Sequence, residues 1–263
     1  MSDAYRPTDP EDVLLLAADA ARIVLESGGE TYRAEETAVA LSSSLGGEEA
    51  ECFATPTGIV LSFTGLDGRV HSIVRRVSRR TMNLERVARI DDLSRRLQSG
   101  KVDFDGAASE LDAIERLAGR SAIVSAAGAA AGAAFFTLFF GGAWNDALVA
   151  AFVGALLSRF TLLFARRAIP EFVANLVGGA GATFLCLVAR YLGLATSADG
   201  TIIGVIMLLV PGVAITNAIR DTIGGDLVAG VARGADSFMS AAAISIGAGG
   251  AYQLWTLISG RMG

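Results

Sequence analysis

Residues 121–142, SAIVSAAGAAAGAAFFTLFFGG, decide the fold. This stretch has 22 residues and no charged side chain. As a helix rising ~1.5 Å per residue it crosses the ~30 Å hydrocarbon core of a bilayer. The chain changes character where the stretch begins. Residues 1–120 carry 36 charged side chains, or 30%, whereas residues 121–263 carry 13, or 9%. Soluble domains average about 25% charged residues. The first part therefore suits water and the second does not. A single soluble enzyme domain is excluded, and a soluble N-terminal domain joined to a membrane domain is expected. The mean hydropathy of +0.49 agrees.

Beyond residue 142 the apolar pattern repeats. Spans are expected at about 121–142, 147–165, 172–189, 201–218 and 234–259, the second interrupted by Arg159. All are rich in small residues, as in Gly128-x-x-x-Gly132 and Gly178-Gly179-Ala180-Gly181. Small residues let helix backbones approach where lipid supplies no hydrophobic drive to associate. The expectation is a polytopic five-helix bundle over residues 121–263. Arginine placement orients it. Arg120, Arg166, Arg167, Arg220 and Arg233 flank one set of span ends, with Arg261 the one dissent. By the positive-inside rule, residues 1–120 are then cytoplasmic and residue 263 lies outside. The polar start, MSDAYRPTDPEDV, has no basic region followed by an apolar one, so no cleavable signal is expected.

Upstream, residues 1–10 read as a loose tail. Leu14, Ala17, Ala18, Ala21 and Leu25 form an amphipathic stripe that Gly28-Gly29 ends. A second helix is expected from Thr31 to about residue 46. The period then changes to two over residues 49–55, 58–64 and 69–77, with turns at Pro56-Thr57-Gly58 and Leu66-Asp67-Gly68. Two more helical stripes follow, through Leu84–Leu97 and through Phe104, Leu111 and Leu117. The expected order, α-α-β-β-β-α-α over residues 1–120, is a small α+β domain.

Several chemistries are excluded by count. Cys52 and Cys186 are the only cysteines and His71 the only histidine, so neither a disulfide framework nor a His/Cys metal site is expected. No cofactor is implied. No GxxxxGK[ST] loop exists, which disfavours ATP-driven pumping. His71 matches no nucleophile pattern, so a membrane-embedded hydrolase lacks its parts. Of 22 basic residues, 21 are arginine, but they form no basic stripe, and nucleic acid is not an expected partner.

The informative stretch is residues 209–236. Pro211-Gly212 sits inside an apolar run, where proline removes a donor and should kink or break the helix. Thr216, Asn217, Arg220, Asp221 and Asp226 follow. Broken helices beside polar side chains are how many transporters build substrate sites, so Pro211, Gly212, Thr216, Asn217, Arg220, Asp221, Asp226 and Arg159 form a candidate substrate and proton path. Packing and solvated loop charges are the plainer alternatives. Arg159 lies deep enough to face an anionic substrate group, whereas Arg190, near a span end, suits snorkelling. Asn145-Asp146 either cap the second span or form an outer gate. Glu30, Thr31, Arg33 and Glu35 open a helix after two glycines. They read as an acid-enriched first turn or as a ligand pocket in the cytoplasmic domain.

Five segments together resemble the threonine/serine exporter family. They are SGGETYRAEET at 27–37, TPTGI at 55–59, Asn83-Leu84 with VARIDDLS at 87–94, FFTLFFGGAWND at 135–146, and LVPGVAITNAIRD at 209–221. Members of that family carry a cytoplasmic domain and ten spans, on one chain or divided between two. With five expected spans, this chain resembles the larger, N-terminal half of a divided exporter. The resemblance implies export of threonine and serine across the inner membrane, driven by the proton motive force. It also implies a smaller five-span partner subunit, with homo-oligomerisation through small-residue faces as a competing outcome. Export of another small metabolite such as a dicarboxylate, or a membrane-anchored ligand sensor that transports nothing, are the alternatives.

Overall fold

A computed structural model describes residues 9–78, 81–119, 121–167 and 169–260. The expected tail at residues 1–8, and Arg120 and Arg261 of the orientation argument, lie outside the described residues. The chain divides into two units. One comprises residues 1–119 with Val213–Gly234, and the other residues 120–212 with 235–263.

In the first unit the expected element order appears. Helix α1 (Pro10–Glu26) begins within the expected tail of residues 1–10, because Asp9 accepts the Glu11 N–H (3.0 Å) and Pro10 suits the first helical position. It is buried on most sides, through Val13, Leu16, Ala20, Ile23 and Val24 among others, and so runs through the domain core. Helix α2 (Thr31–Ser44) follows. Strands β1 (Glu48–Thr55), β2 (Gly58–Thr64) and β3 (Val70–Arg76) form an antiparallel meander in the order β1-β2-β3. Alternation turns Ala54, Ile59, Leu61 and Phe63 into the core. Helices α3 (Leu84–Gln98) and α4 (Phe104–Glu115) complete the layer, their starts capped by Asn83 and Asp103. Ile23, Leu41, Leu61, Ile90 and Ile114 are essentially inaccessible. Burying each stabilises by about 1.5–3 kcal/mol.

The second unit holds α5 (Ala122–Phe139), α6 (Trp144–Arg166), α7 (Glu171–Tyr191) and α8 (Ala198–Ile206). Glycines permit its tightest approaches. A Cβ on Gly204 would lie 2.0 Å from Thr137 Oγ1, and one on Gly247 would lie 2.0 Å from the Leu176 carbonyl oxygen. The small residues are thus packing faces, with backbone running against backbone.

The expected five-helix bundle needs correction. Among the described residues, four helices are long and apolar enough to cross a membrane: α5, α6, α7 and α10 (Leu227–Ser259). The expected span at 201–218 is instead two short helices. α8 ends at Ile206, tight turns carry the chain through Leu208 and Leu209, and α9 (Gly212–Gly224) starts beyond Pro211. Nine residues of α8 rise only ~14 Å. Proline lacks the N–H that would continue the helix, and its ring disfavours helical geometry in the residue before it. The break falls at Pro211-Gly212, where the sequence leads to the expectation of a kink or break; hydropathy alone counts the two pieces as one span. Val213–Gly234, moreover, belongs to the first unit, so that unit is not confined to residues 1–120. The last long helix also starts seven residues before the expected 234.

Candidate functional site

The site is built where α1 ends. Ser27, Gly28 and Gly29 close that helix in a Schellman motif. Gly28 N–H donates to Leu25 O (3.2 Å), and Gly29 N–H donates to Val24 O (2.9 Å). Gly28 adopts φ +87°, which a side chain would strain. A Cβ on Gly29 would lie 2.5 Å from Val24 Cγ1. These two glycines set the backbone so that carbonyls 28 and 29 are offered to side chains of the same unit.

Those side chains come from α9 and the first turns of α10. Asn217, Arg220 and Asp221 are spaced i, i+3, i+4, and so share one face of α9. They take up the loop residues in chain order. Asn217 Nδ2 donates to Gly28 O at 3.0 Å. Arg220 Nη1 donates to Glu30 Oε1 at 2.7 Å. Asp221, with no exposed surface, receives Thr31 twice: the backbone N–H at Oδ1 (3.3 Å) and the hydroxyl at Oδ2 (3.0 Å). Arg233 closes the cluster from α10. Its Nε lies 2.9 Å from Asp221 Oδ2, and its Nη2 donates to Gly29 O at 2.9 Å and reaches Thr31 Oγ1 at 3.5 Å. The α9–α10 hairpin can present both faces because Gly230 packs on α9. A Cβ there would lie 2.2 Å from Thr222 Oγ1.

Two more carboxylates belong to this surrounding. Glu35 accepts the Ala54 N–H at 2.7 Å. Burial pushes its carboxyl above the usual glutamate range; the Ala54 bond opposes this, and the charges of Asp226 and Asp221 add to it. Asp226, in the α9–α10 turn, is likewise pushed upward by burial and by the Asp221 charge. An ion pair with no water on Asp221 is costly to desolvate, and is held only because both oxygens are hydrogen-bonded. Around it, two carboxyls are biased toward holding a proton. The arrangement holds the polar groups of residues 28–31 on charged side chains of α9 and α10.

The structure thus joins two stretches that sequence reading kept apart. Glu30 and Thr31 share one unit and one hydrogen-bonded network with Asn217, Arg220 and Asp221, and Glu35 and Asp226, in the same unit, feel the Asp221 charge. Arg33 borders it through Glu30, with Nε 3.4 Å from Oε2. Thr216 is exposed on α9, Pro211 is half-buried and Gly212 is exposed at the helix start. Arg159 stands apart, exposed on α6 in the second unit and without an ion pair among the described residues. Asn145 and Asp146 also lie in that unit. Asp146 is buried and accepts backbone N–H groups of Ala143 (2.9 Å), Thr196 (2.5 Å) and Ser197 (3.0 Å). It therefore caps α6, as one reading expected, and also ties the α5–α6 link to the α7–α8 link. Asn145 Nδ2 reinforces this tie by donating to Thr196 Oγ1 at 2.6 Å.

Arg233 and the carbonyls of Gly28 and Gly29 were not among the expected site residues. The signal for Arg233 was present. It is the one basic residue in a 33-residue helix that is otherwise nearly uncharged.

A family model described as putative threonine/serine exporter matches residues 15–255. A probable threonine/serine exporter of Mycobacterium tuberculosis is 28% identical over 237 residues, covering 89% of this chain and 45% of that protein. A threonine/serine exporter of Corynebacterium glutamicum is 26% identical over 250 residues, covering 92% of this chain and 51% of its own length. The chain spans about half the length of these two relatives. A protein of Escherichia coli named probable succinate transporter subunit YjjP is 24% identical over 235 residues, covering 89% of this chain and 91% of that protein. No solved structure matches the chain.

Proposed function

Because the chain belongs to the putative threonine/serine exporter family, we propose that it supplies the N-terminal half of a secondary transporter that exports small amino acids, threonine and serine first. Its sheet-bearing unit faces the cytoplasm, and the proton motive force drives the flux. A smaller five-span membrane protein supplies the second half, and the break at Pro211 is an interrupted crossing of the kind transporters use near their sites.

The observation that carries this reading is the buried Asp221–Arg233 pair on Thr31. A non-transporting anchor has no use for a dehydrated ion pair beside a broken helix. A transporter has two. The pair offers donors and acceptors to a zwitterion, and Asp221 biases Glu35 and Asp226 toward proton uptake. The plainer alternative, that the network only fastens the loop to the helical hairpin, predicts no effect on flux at normal abundance.

A second reading, export of a dicarboxylate, draws on the similarity to the YjjP protein over nine-tenths of its length. Loaded cells separate the two. Cells co-expressing this chain and the five-span protein are preloaded with threonine, serine or succinate, and external solute is followed against a vector control. Threonine and serine efflux above control supports the main reading. Succinate efflux alone would transfer the assignment to the second, and efflux of neither would refute both.

A further inference from the structure

The side chains that α9 and α10 turn toward the loop are all occupied by the loop's own groups. The occupants read like the parts of a ligand. A threonine gives its N–H to one oxygen of Asp221 and its hydroxyl to the other. A carbonyl oxygen, Gly29 O, accepts from Arg233. A carboxylate, that of Glu30, accepts from Arg220, and the Gly28 carbonyl accepts from Asn217. An amino donor, a hydroxyl and a carboxylate within a few bonds of one another are what a free β-hydroxy-α-amino acid offers.

We infer that Thr31, flanked by Gly29 and Glu30, is an internal stand-in for a β-hydroxy-α-amino acid. Asp221, Arg233, Asn217 and Arg220 hold such a ligand when the loop lifts away. This rests on the export reading above. The exchange is chemically balanced in the ligand's favour. An ammonium on Asp221 Oδ1 replaces a neutral N–H, and a carboxylate on Arg233 replaces the neutral Gly29 carbonyl, while at Arg220 one carboxylate takes the place of another, that of Glu30. The first two substitutions turn a hydrogen bond charged on one side into one charged on both, which is shorter and stronger. The loop competes because it is tethered, at high effective concentration. Its Gly28-Gly29 start, with Gly28 at φ +87°, gives it a hinge.

The hydroxyl sets selectivity. L-valine, similar in shape to threonine, would leave Asp221 Oδ2 with Arg233 alone, without the hydroxyl hydrogen bond that Thr31 now gives it. A ligand lacking that hydrogen bond is what a site built for a hydroxyl rejects most strongly. Succinate has no ammonium, and sets a second anion against Asp221.

The test is calorimetric binding of L-threonine, L-valine and succinate to the full purified chain in detergent, as wild type and as Thr31→Val. The variant keeps the volume and loses the hydroxyl. The competing loop then holds less well, and the fraction of chains with an open site rises. L-threonine should bind Thr31→Val about tenfold or more tightly than wild type, the equilibrium worth of one hydrogen bond to a charged group. L-valine and succinate should bind weakly to both. A second measurement needs no variant. Saturating L-threonine should speed amide exchange at Gly29–Thr31 of the wild type, because the loop is displaced. Unchanged L-threonine affinity in Thr31→Val, or unchanged or slower exchange at those amides, overturns the inference. Threonine efflux from loaded cells alongside either result would leave the export reading standing and remove this one. Tightened binding with no efflux would remove the export reading instead.

Discussion

Asp221→Asn is the substitution whose consequence follows most directly from geometry. The asparagine is nearly the same size, so packing is preserved. Its amide oxygen can still accept one hydrogen bond from Thr31, but its NH2 group now faces a hydroxyl and a guanidinium that both donate. Arg233 loses its anion while its side chain is only 11% exposed. Removing one partner of a buried pair costs about 3–5 kcal/mol. The lower end applies here, because Arg233 keeps the Gly29 carbonyl at 2.9 Å. The loss falls on the attachment of the Gly28–Thr31 loop. It should therefore appear as local opening, which amide exchange reads residue by residue. About 3 kcal/mol speeds exchange roughly a hundredfold, at ~1.4 kcal/mol per factor of ten. Arg220→Gln provides the contrast. Its pair with Glu30 is more than half exposed on the arginine side, and exposed pairs are worth about 1 kcal/mol or less. Exchange at Gly29–Thr31 should thus rise about a hundredfold in Asp221→Asn and about fivefold or less in Arg220→Gln. Equal rises, or a rise below about threefold in Asp221→Asn, would refute the reasoning that burial makes the Asp221 pair the dominant attachment.

Gly247→Leu should destabilise the helical unit by more than about 3 kcal/mol, since even a Cβ would sit 2.0 Å from the Leu176 carbonyl oxygen; thermal unfolding in detergent checks it. Asp146→Ala leaves three backbone N–H groups without their acceptor, and should raise amide exchange at Thr196 and Ser197 by about tenfold or more at unchanged exchange in α2. Glu35 has a carboxyl raised in the folded state, so folding binds the proton more tightly than the unfolded chain does. Stability attributable to it is full below the ordinary glutamate range and declines as pH rises through the raised value. Glu35→Gln keeps an acceptor for the Ala54 N–H, and should flatten that decline in a melting-temperature profile measured upward from the ordinary glutamate range. An unchanged slope would contradict it.

The sheet-bearing domain was largely legible in the sequence, because its helices and strands carry opposite periods and its turns carry glycine and proline. Residues 58–64 bury one alternate face, and the stripe from Leu14 to Leu25 lies within a helix that is buried on most sides. The membrane part was legible in composition but not in count. A window of hydropathy over residues 201–218 averages across Pro211 and sees one span, whereas the missing N–H divides it into α8 and α9. The site was half legible. Asn217, Arg220 and Asp221 stand out by helical spacing in an apolar neighbourhood, and Glu30–Glu35 stand out after two glycines. Nothing local says that the two meet, since about 190 residues separate Thr31 from Asp221. Three of the loop's five contributions, the Gly28 and Gly29 carbonyls and the Thr31 N–H, are moreover backbone groups, which carry no sequence signal. Arg233 was read as an orientation signal because a cation near a span end satisfies that rule whatever else it touches. Its partner, Asp221, becomes visible only when α9 and α10 fold back as a hairpin.

The most direct test of the central claim is proton-driven flux through purified protein. This chain and the proposed five-span partner are reconstituted into vesicles, a pH gradient is imposed, and labelled L-threonine movement is followed for wild type and for Asp221→Asn at matched incorporation. The account predicts gradient-dependent threonine flux in wild type and loss of at least about nine-tenths of it in Asp221→Asn, the tenfold effect of one charge-assisted interaction. Equal flux in the two proteins would contradict it.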